Sequence, residues 1–156
     1  MSHTNQPHSG FDLIDGQTID LQETLGNDHS YSGITCNGVA DVDLVFGELC
    51  YMKADGDFAK ALATTAGTTM PAMAIALEDI LADASGLFLL VGFIRDDHWD
   101  TLTIGGIVYA DPNTAGDMTQ TIGDFDASGD LVQVLGIGKT AVIIWFNPSY
   151  ELVEIA

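Results

Sequence analysis

The stretch Met70–Asp97, MPAMAIALEDILADASGLFLLVGFIRDD, settles the fold class, because its first half reads two ways. Met73, Leu77, Ile80 and Leu81 stand at i, i+4, i+7 and i+8, the spacing of an amphipathic helix. Met73, Ile75 and Leu77 also alternate with Ala72, Ala74 and Ala76, the pattern of a strand with one bulky and one small face. The next residues favour the strand. Asp83-Ala84-Ser85-Gly86 is turn chemistry, and LFLLVGFI, Leu87–Ile94, is apolar on both faces. A run that short, holding Phe, Val and Ile, fits a buried strand better than a helix. The stretch predicts a hairpin.

The same grammar recurs on either side. Upstream, Ile34–Cys36, an Asn37-Gly38 turn and the alternation Val42, Leu44, Phe46 predict another hairpin. Leu49–Met52 reads as a strand, Ala54-Asp55-Gly56-Asp57 as a turn, and Phe58–Leu62 as the returning strand. Downstream, Asp96–Asp100 is an acidic corner, and Thr101–Ala110 is a strand interrupted at Gly105-Gly106. Asp111–Gly116 is a loop, and Met118–Ile122 is short and Thr-rich. Leu131–Ile137 and Thr140–Phe146 form a closing hairpin around Gly138-Lys139, and Tyr150–Ile155 a last strand. Short strands with turn signals every ten or so residues predict an all-β barrel or sandwich with at most one short helix.

There is an internal echo. GELCYMKADGDFAKA from Gly47 parallels GGIVYADPNTAGDMTQT from Gly105. AMAIAL then parallels VQVLGIG, and LFLLVGFI parallels AVIIWF. Two related β units packed into one barrel would give this pattern, and so would chance similarity between hairpins.

The 156 residues suit one domain, and the net charge is −19, with Lys53, Lys60, Arg95 and Lys139 as the only basic side chains. Nucleic acid is excluded as a direct partner, because phosphate contacts need clustered Lys and Arg. Anionic membrane surfaces are disfavoured for the same reason. The first residues are polar, and no apolar run approaches the ~18 residues of a membrane span. The chain is therefore expected in the cytoplasm of the cell that makes it, with Cys36 and Cys50 as free thiols. A basic protein surface would suit so acidic a chain; the acid would also keep an apolar β protein soluble.

Catalytic patterns are not found. No Ser stands in a G-x-S-x-G elbow, and there is no H-E-x-x-H, C-x-x-C or phosphate-binding loop. Asp124, Asp126, Ser128 and Asp130 around Gly129 resemble the first half of a calcium loop. The twelfth position is Leu135, however, so the closing Glu is missing and a solvated turn is the simpler reading. Neither a cofactor nor a metal is expected. Trp99 and Trp145 read as core or contact aromatics.

From Gly47 to Ile155, the run GELCYM, PAMAIALEDI, GFIRDD, IGGIVYA, DLVQVLGIG and FNPSYELVEI resembles the small β domains of tailed-phage structural proteins. These are capsid decoration (cement) proteins and modules at the ends of tail fibres. The resemblance implies a β-barrel or β-tulip-like decoration domain over 31–156, preceded by an extended N-terminal arm over 1–30. It implies a homotrimer on the capsid exterior of the virion, made in the host cytoplasm, clamping the major capsid protein across subunit junctions. Phe11, Leu13, Ile14, Ile19 and Leu21 are the candidate capsid-binding residues of the arm. No catalytic residue is carried over, so no enzyme is expected. The alternative is a tail-fibre or adhesin-type module that binds a host surface. Heptads and collagen-like repeats are missing, which favours decoration.

Overall fold

The computed structural model describes residues 15–65 and 69–156; Phe11, Leu13 and Ile14 lie outside them. Among the described residues eleven strands run: β1 Ser30–Val39, β2 Leu49–Met52, β3 Phe58–Lys60, β4 Ala72–Ala76, β5 Ser85–Arg95, β6 Ile107–Ala110, β7 Met118–Thr119, β8 Leu131–Val132, β9 Val134–Gly138, β10 Ile143–Phe146 and β11 Val153–Glu154. The fold is all-β: an antiparallel sheet curled into a half-barrel, with no helix of seven or more residues among the described ones. Within Met70–Asp97, β4 and β5 pair antiparallel, Ile75 opposite Leu89 and Ala76 opposite Phe88. The turn between them carries Asp83 at φ +64°, a conformation that Asp tolerates better than most residues.

The internal echo is a repeat of topology. The sheet order is β3-β2-β4-β5-β10-β9-β6-β7, so β3-β2-β4-β5 in one half matches β7-β6-β9-β10 in the other, and β5 pairs with β10 at the junction. The register repeats as well. Leu49, Ile75 and Leu89 form one cross-strand row, and Ile107, Ile137 and Trp145 form its counterpart. The register slips between Cys50 and Tyr51 in the first half, and between Val108 and Tyr109 in the second. Gly47 and Gly56 at positive φ correspond to Gly105 and Gly116, also at positive φ. Glycine is needed at these four turns because a Cβ penalises that backbone region.

The two halves curl towards each other and bond at their edges. Leu49 N–H donates to Gly116 O (2.7 Å), Gly116 N–H to Ala61 O (2.8 Å) and Ala63 N–H to Asp111 O (3.0 Å). Between them lies the main core, with Leu49, Ile75 and Leu89 from one half facing Val108, Leu135, Ile144 and Phe146 from the other. A second core covers the outer face of the first half: Cys50, Ala74, Ala76 and Phe88 pack under Ala40, Leu44, Phe58 and Ile80. Gln133 is a fully buried polar side chain. Its amide accepts from Ala72 N–H (2.8 Å) and donates to Ala72 O (2.8 Å) and Ser149 O (2.7 Å), so it satisfies the backbone where β4 begins.

Three expectations are corrected. Asn37-Gly38 is not a turn; it lies inside β1, which pairs with β5 from Ser30–Arg95 to Val39–Ser85. Gly38 is there because a Cβ would stand 2.5 Å from the Phe58 ring, which stacks on Phe88 with centroids 4.3 Å apart. Val42–Phe46 is not a strand but a loop laid over the second core, joined to it by a single bridge between Leu44 and Ile80. Leu44 enters the second core and Phe46 the main core, while Val42 and Val45 stay exposed. The strand expected from Thr101 starts only at Ile107, because Gly105 at φ +75° turns the chain there.

Candidate interaction surface

The first feature is charge. All four basic side chains are held by the chain's own carboxylates. Lys53 pairs with Asp41 and with Asp55 (3.0 Å), Lys60 with Glu48 (2.6 Å), Arg95 with Asp97 (2.7 Å) and Lys139 with Glu23 (3.0 Å). Asp41, then Asp55, hold the Lys53 ammonium above its ordinary pKa, and Asp97 does the same for Arg95. No lysine or arginine is left to offset the remaining acid, and among the described residues most of that acid is exposed, Asp96 and Asp130 being the buried exceptions.

The second feature is the outer face of the second half. Ile107, Ile137, Trp145 and Phe93 stand opposite one another in register across β6, β9, β10 and β5. Ile107 and Ile137 are 42% and 38% exposed, and Trp145 tilts against Phe93 with centroids 4.8 Å apart. Val134, on the same sheet, is also exposed. The strands IVYA, VLGIG and IIWF carry no charged residue.

Of the arm candidates, Ile19 and Leu21 are described, and both line a shallow groove with Phe93 and Trp145 at one end of this face. The segment after them is fastened to the barrel. Gln22 N–H donates to Ser32 Oγ (2.9 Å), Glu23 pairs with Lys139, and Arg95 donates to Leu25 O (2.9 Å) while Leu25 is buried. Asp28 accepts from Asp97 N–H (2.8 Å), and that bond holds its carboxyl below the ordinary aspartate value. The latter part of the expected arm is thus part of the barrel surface.

The calcium-loop residues are not brought together. Asp124 accepts from the Thr119 hydroxyl (2.7 Å), and Asp130, buried, accepts from Ala127 N–H (3.0 Å). Among the described residues, the acid and imidazole groups that do converge within 4.8 Å are Asp28-His29-Asp96 and Asp41-Asp55-Asp57. Lys53 already sits against Asp41 and Asp55. In the other group, Asp96 accepts from His98 N–H (2.9 Å) and caps the 3-10 turn Asp97–Trp99, while His29 stacks on Phe46 at 4.4 Å. Both clusters serve as clasps between loops. His98, Trp99, Thr101 and Asp117 line a polar cleft of about 450 Å³. Burial, then Asp111 and Glu48, push the Asp117 carboxyl above its ordinary pKa.

Sequence reading missed Ile107 and Ile137 as surface residues. The echo points the other way, since Ile107 aligns there with Leu49, which is fully buried. Comparison with protein-family models, with curated protein sequences and with solved structures finds no match for this chain.

Proposed function

We propose that the protein is a structural, non-enzymatic shell-binding protein: a capsid decoration protein that sits as a homotrimer on the outside of a tailed-phage capsid and stabilises it across subunit junctions of the major capsid protein. The observation that carries this reading is the charge arrangement. A chain that neutralises each of its own cations and presents acid over its remaining surface suits a basic protein surface and is repelled by packaged nucleic acid. The curled all-β domain and the resemblance of Gly47–Ile155 to phage β domains support the same reading. No cofactor is needed, since the work is burial of surface across a junction.

The test is co-sedimentation of the purified protein with expanded, undecorated capsids of the phage that encodes it. Saturable binding that weakens as salt rises is the expected result. No binding at any salt concentration overturns it. Deleting residues 1–21 tests the arm: binding equal to that of the full chain would remove the arm from the contact.

The adhesin reading draws on the cleft beside Trp99, which holds an aromatic edge, Thr101 and Asp117. Location separates the two readings. Hundreds of copies on the head fit decoration, and a handful at the tail fit an adhesin.

A further inference from the structure

We propose that the outer face of β6, β9 and β10, centred on Ile107, Ile137 and Trp145 with Phe93 beside them, is the surface through which copies of this chain bind each other. The proposal deepens the self-association in the function proposed above and rests on it; it does not depend on shell binding.

The repeat supplies the first argument. Leu49, Ile75 and Leu89 occupy, in the first half, the register positions of Ile107, Ile137 and Trp145 in the second. The first row is fully buried against the other half of the barrel. The second row has the same apolar character and the same strand geometry, yet among the described residues no layer of comparable extent lies over it. The groove residues Ile19 and Leu21 reach only its Phe93–Trp145 end, and Ile19 is itself 60% exposed.

Charge chooses the occupant. A basic partner is drawn to carboxylates, and β6, β9 and β10 have none. Another copy carries −19, so it is repelled wherever acid faces acid. Two copies meet most readily where charge is sparse: β6, β9 and β10 carry none, and Asp20 and Glu23, which line the groove, stand only at its Phe93–Trp145 end, where Glu23 is paired with Lys139. The same face offers rigid aromatic and β-branched side chains, which associate with little loss of side-chain freedom.

One consequence separates self-association from shell binding. Salt screens the repulsion between copies, so self-association strengthens as salt rises, whereas binding of acid to a basic surface weakens.

The test is sedimentation velocity and light scattering on the full chain up to about 100 µM, at low and high salt, the range that detects contacts with Kd of tens of micromolar. The variants are Ile137→Asp and the milder pair Ile107→Thr with Ile137→Thr, which keeps strand-forming residues if the charged variant fails to fold. Leu81→Asp, at an exposed apolar site elsewhere, is the control. We expect the wild type and Leu81→Asp to associate, more so at high salt, and the face variants to lose at least about tenfold in association constant with unchanged circular dichroism. A wild type that stays monomeric throughout overturns the proposal. So does association that persists in the face variants. Association that appears only after residues 1–14 are deleted overturns it too, because the chain's own segment would then be the occupant. A monomer that still co-sediments with capsids fails this proposal alone, and an oligomer that does not co-sediment fails the shell reading alone.

Discussion

Ile75 and Ile137 hold the same register position in the two halves of the sheet, and they face opposite fates. Ile75 lies between Leu49 and Leu89 and is fully buried; Ile137 lies between Ile107 and Trp145 and is 38% exposed. The same local pattern therefore makes core in one half and surface in the other. Truncation should reveal the difference. Ile75→Ala should cost about 2–5 kcal/mol, the range for emptying a packed site, and Ile137→Ala less than about 1 kcal/mol at low protein concentration. Urea denaturation of the two variants checks it, and equal costs would contradict the assignment of faces.

Gln133 bridges the halves through the backbone of Ala72. Gln133→Leu keeps the volume but leaves Ala72 N–H, Ala72 O and Ser149 O without their partner. Each orphaned buried group costs about 1–3 kcal/mol, so a loss of several kcal/mol is expected, with the denaturant slope unchanged. A loss below about 0.5 kcal/mol would mean that water replaces the amide.

At Gly38, alanine would ordinarily help a strand slightly. Here its Cβ meets the Phe58 ring, so Gly38→Ala should destabilise by about 1–3 kcal/mol. Phe58→Leu alone should cost less in the Gly38→Ala background than in the wild type. A double-mutant cycle measures that coupling, and additive costs would argue against the contact.

The thiols differ in reach. Burial, then the charge of Glu48, push the Cys50 thiol up to about 12, while burial alone raises that of half-buried Cys36. Both thiols favour the protonated form when folded. The Cys50 contribution to stability is therefore complete below the ordinary thiol value of 9.0 and disappears as pH rises through about 12. At pH 8, iodoacetamide should label Cys36 first and Cys50 only on unfolding, as mass spectrometry of the labelled peptides would register. Labelling of both thiols at one rate would show that the second core opens locally.

Self-repulsion among −19 charges should make the fold salt-sensitive. Moving from about 10 mM to 500 mM NaCl shortens the screening length from ~30 Å to a few ångströms, so Tm should rise. A fall in Tm would indicate that the lysine and arginine ion pairs stabilise the fold more than the remaining acid opposes it.

Much of the fold is legible in the residues themselves. Ala72–Ala76 and Leu87–Ile94 are strands because small and large residues alternate in the first, and the second is apolar on both faces and too short for a helix. The duplication shows in Gly47–Ala61 and Gly105–Thr121, since strand length and turn glycines are local properties. The charge, and the absence of clustered cations, are likewise read from composition. Long-range packing settled the rest. Asn37-Gly38 carries the local chemistry of a turn, but the Phe58 ring needs a residue without a side chain at that place, and pairing with β5 keeps it extended. Val42, Leu44 and Phe46 alternate like a strand, yet Leu44 alone forms a bridge, to Ile80, and packs in the second core, while Phe46 packs in the main one. The fate of the Ile107–Ile137–Trp145 row was also beyond sequence. Alternation tells which residues share a face, whereas only the curl of the whole sheet determines whether that face meets the other half or is left outside.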